Sequence, residues 1–293
     1  QSPRSTLLTF PSLKLGSSVK GQTDLNGDGK DENITLEKTS EGARIQVNEA
    51  FEEFDFLADE FMDDSITVSV KLMSGSDNQK YLLFSYNVPN VGKGFGNDYR
   101  FLLMSYANGS LVNIWDGNLS DMSHRYENNQ FSIVFQQEGL TITEDISDTV
   151  NELNSMRERF APLTVEEILN APILNTYYDI GVMDYDDDGK DEIITASEFR
   201  ESSLVSYISS ACLVWDVDSG KVILHSGILT EALPQYKNSQ DSVAFSELIH
   251  NGSLTKQQIS EWDAENAPGY QMRLNELIDS GFLTYDGEKI RIS

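Results

Sequence analysis

The sequence is poor in cysteine and in basic residues, and each shortage excludes a class of site or partner. The single cysteine, Cys212, allows neither an intrachain disulfide nor a multi-cysteine zinc site. Only 21 Lys and Arg stand against 48 Asp and Glu, so the formal net charge is −27. Nucleic acids and anionic membranes both attract basic surfaces, so this balance argues against either as a partner. It favours metal cations or cationic partners instead.

Long apolar runs and the common catalytic signatures are also missing. No stretch approaches the roughly 18 apolar residues that predict a transmembrane helix. The three histidines, His124, His225 and His250, form no HExxH pair, and the chain has neither a GxSxG elbow nor a Walker loop. Among 48 acids some carboxylate pair always exists, so the sequence does not select a pair for glycoside hydrolysis.

The sequence contains enough apolar residues to build a hydrophobic core. Hydrophobic residues make up 39% of the 293 residues and aromatics 10%, which argues against wholesale disorder. This length fits one large domain or two smaller ones. The chain starts at Gln1 with a polar segment, and we expect a mature form from which a signal or lipid anchor has been removed.

The most informative feature is an acidic pattern that occurs twice, in residues 24–36 and 184–196. Both copies have Asp at position 1, Asn or Asp at 3, Asp at 5, Gly at 6, Lys at 7, Asp at 8 and Glu at 9. The candidate metal ligands at positions 1, 3, 5, 7 and 9 are Asp24, Asn26, Asp28, Lys30 and Glu32, then Asp184, Asp186, Asp188, Lys190 and Glu192.

The spacing has a physical reason. Oxygens at alternate positions converge when the loop curls, and Gly at position 6 allows the sharp turn. At position 7 the ligand is the backbone carbonyl oxygen, so the side chain there is free to be Lys. The carboxylate at position 9 completes the ligand shell. Ca²⁺ takes 6–8 such hard oxygen ligands. We therefore expect two Ca²⁺ sites, with an acidic structural turn as the alternative.

The pattern differs from an EF-hand, which needs Glu at position 12, where this chain has Thr35 and Thr195. The β-branched residues after each loop predict a strand rather than a helix. Such a loop running into a strand resembles the calcium loops of FG-GAP/VCBS-type repeats, as in integrin-like β-propellers. The lead-in Leu15–Gly21 is similar to that family's FG-x-S-V-x-G, with Leu in place of Phe. The two loops also resemble, more loosely, those of Gram-positive surface lipoproteins.

Turn signals and helix signals complete the predicted fold. Asn108-Gly109, Asp218-Ser-Gly220 and Asp286-Gly287 predict hairpins, and a further hairpin is expected at 66–86. Thr164-Val-Glu-Glu167 is a capping-box pattern that predicts a helix start. The apolar spacing in 49–63 predicts an amphipathic helix. Capping and Pro signals predict two further helices, from Thr255 to about Asn266 and from Pro268 to Gly281.

These signals predict a mainly β protein with some α (α+β): two β lobes or blade-like antiparallel units, each with a calcium loop. Two loops are too few for a closed propeller, which needs at least four blades. The predicted division is a first β unit over 1–144, a helical connector over 145–172, a second β unit over 173–236, and C-terminal helices with a hairpin over 237–293.

We expect the function to be binding rather than catalysis. The composition and the paired loops favour a secreted or cell-surface protein, with structural Ca²⁺ as cofactor and a protein or glycan as ligand. The alternative is an extracellular carbohydrate-active hydrolase that uses paired carboxylates. Because position 3 is Asp186 in the second loop and Asn26 in the first, we expect the second site to bind Ca²⁺ more tightly.

Overall fold

The regular structure is mainly β-strand in the computed structural model of the protein. The structure describes residues 8–10, 16–55, 67–89, 97–117, 122–136, 140–156, 158, 162–184, 186, 188–201, 207–231, 253–255, 257, 275, 278–279 and 283–292. Within these residues every described strand pairing is antiparallel. The prediction of a mainly β fold built from antiparallel units is therefore confirmed.

The described strands form five open sheets. The first has the order β2–β3–β4–β5, with bounds Ser18–Thr23, Glu32–Lys38, Gly42–Val47 and Ala50–Asp55. The second has the order β1–β6–β7–β8–β9, with bounds Leu8–Phe10, Thr67–Ser74, Lys80–Pro89, Asn97–Ala107 and Ser110–Trp115. The third has the order β10–β11–β12, with bounds Met122–Glu127, Gln130–Phe135 and Leu140–Asp145.

The last two sheets lie later in the chain. The fourth has the order β13–β14–β15–β16, with bounds Ile173–Met183, Glu192–Glu201, Tyr207–Asp218 and Lys221–Glu231. The fifth has the order β17–β19–β18, with bounds Leu254–Thr255, Lys289–Ile292 and Leu283–Tyr285. Two helices have described bounds, α1 at Ser147–Ser155 and α2 at Val165–Leu169. No described helix has both the length and the apolar character needed to cross a bilayer.

The chain divides into two compact units. The first comprises Gln1–Asn118, Gly189–Asp191 and Val217–Val222. Its core is formed by apolar side chains of the first and second sheets, and the rings of Phe54 and Phe84 stack at 4.5 Å. Each buried aliphatic or aromatic side chain contributes roughly 1.5–3 kcal/mol. The buried members are Leu25, Ile34, Leu36, Ala43, Ile45, Val47, Val68, Val70, Leu82, Phe84, Met104, Tyr106 and Leu111.

The second unit comprises Leu119–Asp188, Glu192–Asp216 and Ile223–Ser293. Strand β14 is buried on both faces, since its consecutive residues 193–197 are all almost inaccessible to solvent. Trp215 donates its indole N–H to Thr195 Oγ1 at 3.0 Å and meets the ring of Phe135 edge-on at 6.0 Å. A buried indole N–H needs such an acceptor, so this bond fixes the ring in the core.

The helix start at Thr164 is the predicted capping box. Thr164 Oγ1 accepts from the Glu167 amide at 3.2 Å, and the Glu167 carboxylate accepts from the Thr164 amide at 2.7 Å. The two bonds satisfy backbone groups that the first turn of α2 leaves open. Ile168 and Leu169 are buried behind this cap, as the sequence pattern predicted.

The predicted hairpins are present. Asn108 and Gly109, with φ of 52° and 77°, join β8 to β9, and Ser219 and Gly220 join β15 to β16. The hairpin expected at 66–86 is formed by β6 and β7, and the Asp286-Gly287 turn lies between β18 and β19.

The helix predicted over 49–63 is wrong where the structure describes it, because residues 50–55 form β5. Val47 pairs with Ala50 across a tight turn at Asn48, whose φ is 52°. In a strand, residues three apart point to opposite faces. Phe54 accordingly packs on the core, while Phe51 is half exposed beneath the Arg44 guanidinium. Residues 56–63 lie outside the described part of the chain.

The two C-terminal helices predicted between Thr255 and Gly281 fall mainly on residues outside the described part. Leu254 and Thr255 pair with β19. The four-part division of the chain stays a prediction.

The buried thiol gives a test of the core of the second unit. Complete burial raises the pKa of Cys212 to about 12. At pH 8 only about one thiol in 10⁴ is then a thiolate, the form that attacks disulfide reagents. We expect 5,5′-dithiobis(2-nitrobenzoate) to leave the native protein unlabelled over hours and to label one thiol after unfolding in guanidinium. Rapid labelling of the native protein would contradict this packing.

Candidate metal centres

Both acidic loops occupy the same place in an antiparallel hairpin. The first joins β2 to β3, where the last strand pair is Thr23 with Glu32, and the second joins β13 to β14, where it is Met183 with Glu192. In each copy the residue at position 9 is thus the first residue of the following strand. The prediction that a strand rather than a helix follows each loop is confirmed.

The glycine at position 6 has the predicted role in both loops. Gly29 and Gly189 have φ of +83° and +89°, a region that L-residues with a side chain rarely adopt. A Cβ atom at either residue would meet no atom within 4 Å. The glycines are therefore required by the backbone conformation and not by lack of space.

In the first loop the side-chain oxygens at positions 1, 3 and 5 turn inward to the loop's own backbone. Asp24 accepts from the amides of Gly27 and Gly29, both at 2.8 Å. Asn26 Oδ1 accepts from the Asp28 amide at 2.9 Å, and Asp28 Oδ1 accepts from the Lys30 amide at 2.9 Å. These four bonds curl the loop and hold the oxygens of alternate residues on its inner side.

The second loop has the same bond between positions 3 and 5, since Asp186 Oδ1 accepts from the Asp188 amide at 3.1 Å. One carboxylate oxygen from each of Asp184, Asp186 and Asp188 lies within 4.8 Å of the others. Oxygens around one Ca²⁺, each at about 2.3–2.6 Å from the ion, lie at most about 5 Å apart. The three carboxylates therefore fit a common ion of this size.

Position 9 places a carboxylate in the interior in both copies. Glu32 and Glu192 are each only 5% exposed. Glu32 Oε2 accepts from the Leu25 amide at 2.7 Å, and its Oε1 is 3.4 Å from Asn26 Nδ2. The glutamate at the start of the strand thus reaches back to positions 2 and 3 of its loop, on the side where a ligand shell would close.

The lysines at position 7 have exposed side chains. A cation beside a metal site is tolerated when its side chain points into solvent, which agrees with the expectation that Lys30 and Lys190 use only their carbonyl oxygens. That ligand role stays a prediction.

Sequence reasoning missed the part played by position 2. Leu25 is fully buried in the core of the first unit, although it lies between the polar loop residues Asp24 and Asn26. An apolar residue between Asp24 and Asn26 was the available signal. Because of Leu25, the conformation of the first loop depends on the hydrophobic core as well as on its own hydrogen bonds. The equivalent residue Tyr185 lies outside the described part.

The comparisons with known proteins add no identity to this geometry. Neither protein-family models, nor curated proteins, nor solved structures give a match. The assignment of these loops as candidate metal centres therefore rests on the residues of this chain alone.

The contribution of Glu32, the buried glutamate of the first loop, to stability can be tested without any metal. In EDTA we expect Glu32→Ala to lower the free energy of unfolding by about 1–3 kcal/mol, because the Leu25 amide loses its acceptor in a buried place. Urea unfolding followed by circular dichroism measures the change. The matched control is Asp31→Ala, which removes an exposed carboxylate from the adjacent residue. Equal effects of the two variants would contradict the proposed role of Glu32.

Proposed function

We propose that the protein is a calcium-binding, non-catalytic interaction module whose two acidic loops are structural Ca²⁺ sites. The observation that carries this proposal is the match between the loops. Both close an antiparallel hairpin, both have Gly at positive φ at position 6, and both bury the glutamate at position 9. These three features are the ones that a shell of oxygen ligands closed by position 9 would need, and this supports the proposal.

The charges of the second loop give the first supporting step. At 4.8 Å or less and an effective dielectric constant of about 20, each pair of carboxylates repels by roughly 3.5 kcal/mol or more before solvent screening. Solvent lowers this value because Asp186 and Asp188 are exposed. A divalent cation among the three carboxylates reverses the sign of the interaction, so the cluster favours a bound ion.

The ligand chemistry favours Ca²⁺ over other ions. All the candidate ligands are oxygens, which suit hard cations, and no thiol or imidazole is among them. Mg²⁺ demands a near-ideal octahedron at about 2.0–2.1 Å, whereas Ca²⁺ accepts a looser shell of 6–8 oxygens. A loop with oxygens at alternate residues and two or three water molecules supplies the looser shell.

The position of the first loop indicates what its ion would do. Leu25 is part of the core, and its amide is bonded to Glu32, a candidate ligand. An ion that draws Asp24, Asp28 and Glu32 together would hold Leu25 in place. Its binding would then add to folding stability by mass action.

The proposed compartment is based on the calcium affinity expected of such loops. Weak sites, with Kd of about 10⁻⁴–10⁻³ M, are filled only where calcium is plentiful, as it is outside cells. We propose a secreted or cell-surface protein of the FG-GAP/VCBS-like kind, in which the ions fix a β scaffold that binds a protein or a glycan.

The stabilising effect of calcium is the direct test. In about 2 mM Ca²⁺, a site with Kd of about 10⁻⁴ M adds roughly 1.8 kcal/mol relative to EDTA, which corresponds to a few degrees in Tm. We expect the wild type to show this rise, and Asp28→Ala and Asp188→Ala each to lose part of it. Differential scanning calorimetry measures the shift.

Two control variants remove a carboxylate from each loop without touching an expected ligand. They are Asp31→Ala at position 8 of the first loop and Asp187→Ala at position 4 of the second. Both should keep most of the calcium-dependent rise. If the ligand and control variants respond alike, the effect is one of net charge, and the proposed sites are wrong.

Exchanging Asn and Asp at position 3 is expected to change the calcium affinity of the two loops in opposite directions. Asn26→Asp adds a ligand carboxylate to the first loop, and Asp186→Asn removes one from the second. We expect the first change to lower the Kd of its site and the second to raise it, each by about 3- to 30-fold, because ligand charge sets affinity in such loops. Isothermal titration calorimetry separates the two sites. No weakening in Asp186→Asn would contradict the ligand role of position 3.

A further inference from the structure

The connection between β6 and β7, residues 74–80, makes hydrogen bonds with residues from both acidic loops. It contains a single 3-10 turn at Ser76–Asn78 and is closed by bonds from Gly75 N to Gln79 O at 2.8 Å and from Gln79 N to Ser76 O at 3.1 Å. A Cβ atom on Gly75 would lie 2.5 Å from the ring of Tyr81. Gly75 therefore lies directly against Tyr81, and the connection has no room for a side chain at this position.

Its C-terminal end bonds to the first loop. The Lys80 amide donates to Leu25 O at 2.9 Å, and Lys80 Nζ donates to Thr23 Oγ1 at 2.5 Å. The amide of Leu25 in turn donates to Glu32. Leu25 is thus held on one side by a candidate metal ligand and on the other by the β6–β7 connection.

Its N-terminal end bonds to position 8 of the second loop. The Asp191 amide donates to Ser74 O at 2.8 Å, and the Ser74 amide donates to Asp191 Oδ2 at 2.6 Å. Ser74, Lys80, Leu25 and Asp191 all belong to the first unit. The reciprocal pair engages both the amide and the carboxylate of Asp191, and position 8 is not among the expected ligand positions.

We infer that Asp191 is a positioning residue that couples the two calcium sites through the β6–β7 connection, so that an ion at either site raises the affinity of the other. This inference rests on the proposed function. An ion bound by Asp188 and Glu192 orders the segment between them, which contains Asp191. The ordered Asp191 holds Ser74, and the packed connection then holds Lys80 against Leu25.

The coupling must be equal in both directions, because linkage between two binding equilibria is reciprocal. Coupled sites in proteins typically change each other's affinity by about 5- to 150-fold. Here a few hydrogen bonds at partly exposed residues carry the effect, so we expect a change in affinity of about three- to tenfold, which overlaps only the lower limit of that range.

The test is a double-mutant cycle in which the calcium Kd of each loop is measured separately. Calcium titrations followed by ¹⁵N–¹H NMR give the Kd of the first site from the Gly29 amide and of the second from the Gly189 amide. In the wild-type background, Asp188→Ala should weaken the first site about three- to tenfold. In the Asp191→Ala background the same change should leave the first site almost unaffected.

Two further variants separate coupling from general damage. Asp31→Ala removes the carboxylate at position 8 of the first loop, which makes no described hydrogen bond to residues 74–80, so the coupling should persist. Asp191→Asn keeps an oxygen acceptor for the Ser74 amide and should restore most of the coupling.

The possible results are distinct. Calcium binding at both loops with no effect of Asp188→Ala on the first site, or an equal effect with and without Asp191, overturns the coupling and leaves the proposed function standing. No calcium-dependent shift at either glycine overturns the proposed function, and the coupling with it.

Discussion

The structure of the first acidic loop depends on a glutamate carboxylate that is buried at the first residue of a β-strand, and the second loop buries a glutamate at the same position. Glu32 and Glu192 start β3 and β14, and both are almost inaccessible to solvent. A buried charge is costly unless hydrogen bonds or a cation satisfy it. In the first loop the Leu25 amide supplies such a bond, and the loop must curl for that amide to reach the carboxylate. The inward turn of the other acidic side chains follows from this curl.

Through Leu25, the buried carboxylate of Glu32 is connected to the hydrophobic core and to β7 of the first unit. Leu25 is anchored in the core by its side chain, bonded to Glu32 by its amide and bonded to Lys80 by its carbonyl oxygen. A chain with 48 acids and 21 bases gains stability when a cation neutralises its densest acidic clusters. In our account, calcium therefore acts on the fold through the hairpin that each loop closes, and ligand binding depends on calcium only through that fold.

Features set by neighbouring residues were predictable from the sequence. The capping box at Thr164 and the Asn108-Gly109 turn are determined by residues within four positions of one another, and both were predicted. The repeated spacing of acids and glycine indicated the loop conformation for the same reason, down to the positive φ of Gly29 and Gly189.

Features set by distant parts of the chain were not predictable. The apolar spacing in 49–63 favoured a helix, but β5 pairs with β4 and stacks Phe54 on Phe84, a residue 30 positions away. The bonds between Asp191 and Ser74 join residues 117 positions apart, and nothing in either local sequence indicates them. Leu25 likewise lies in a core that includes side chains of β6, β7, β8 and β9, which are distant from it in the sequence.

The central claim is that the chain holds two calcium ions, one in each loop. Equilibrium dialysis of the EDTA-stripped protein against ⁴⁵Ca²⁺, in excess Mg²⁺ and at physiological ionic strength, counts them directly. Our account predicts saturation at two ions per chain, and at one ion when the three acids of either loop's positions 1, 5 and 9 are replaced by alanine in a variant that still folds. Saturation at zero, or a count unchanged by these replacements, would contradict it.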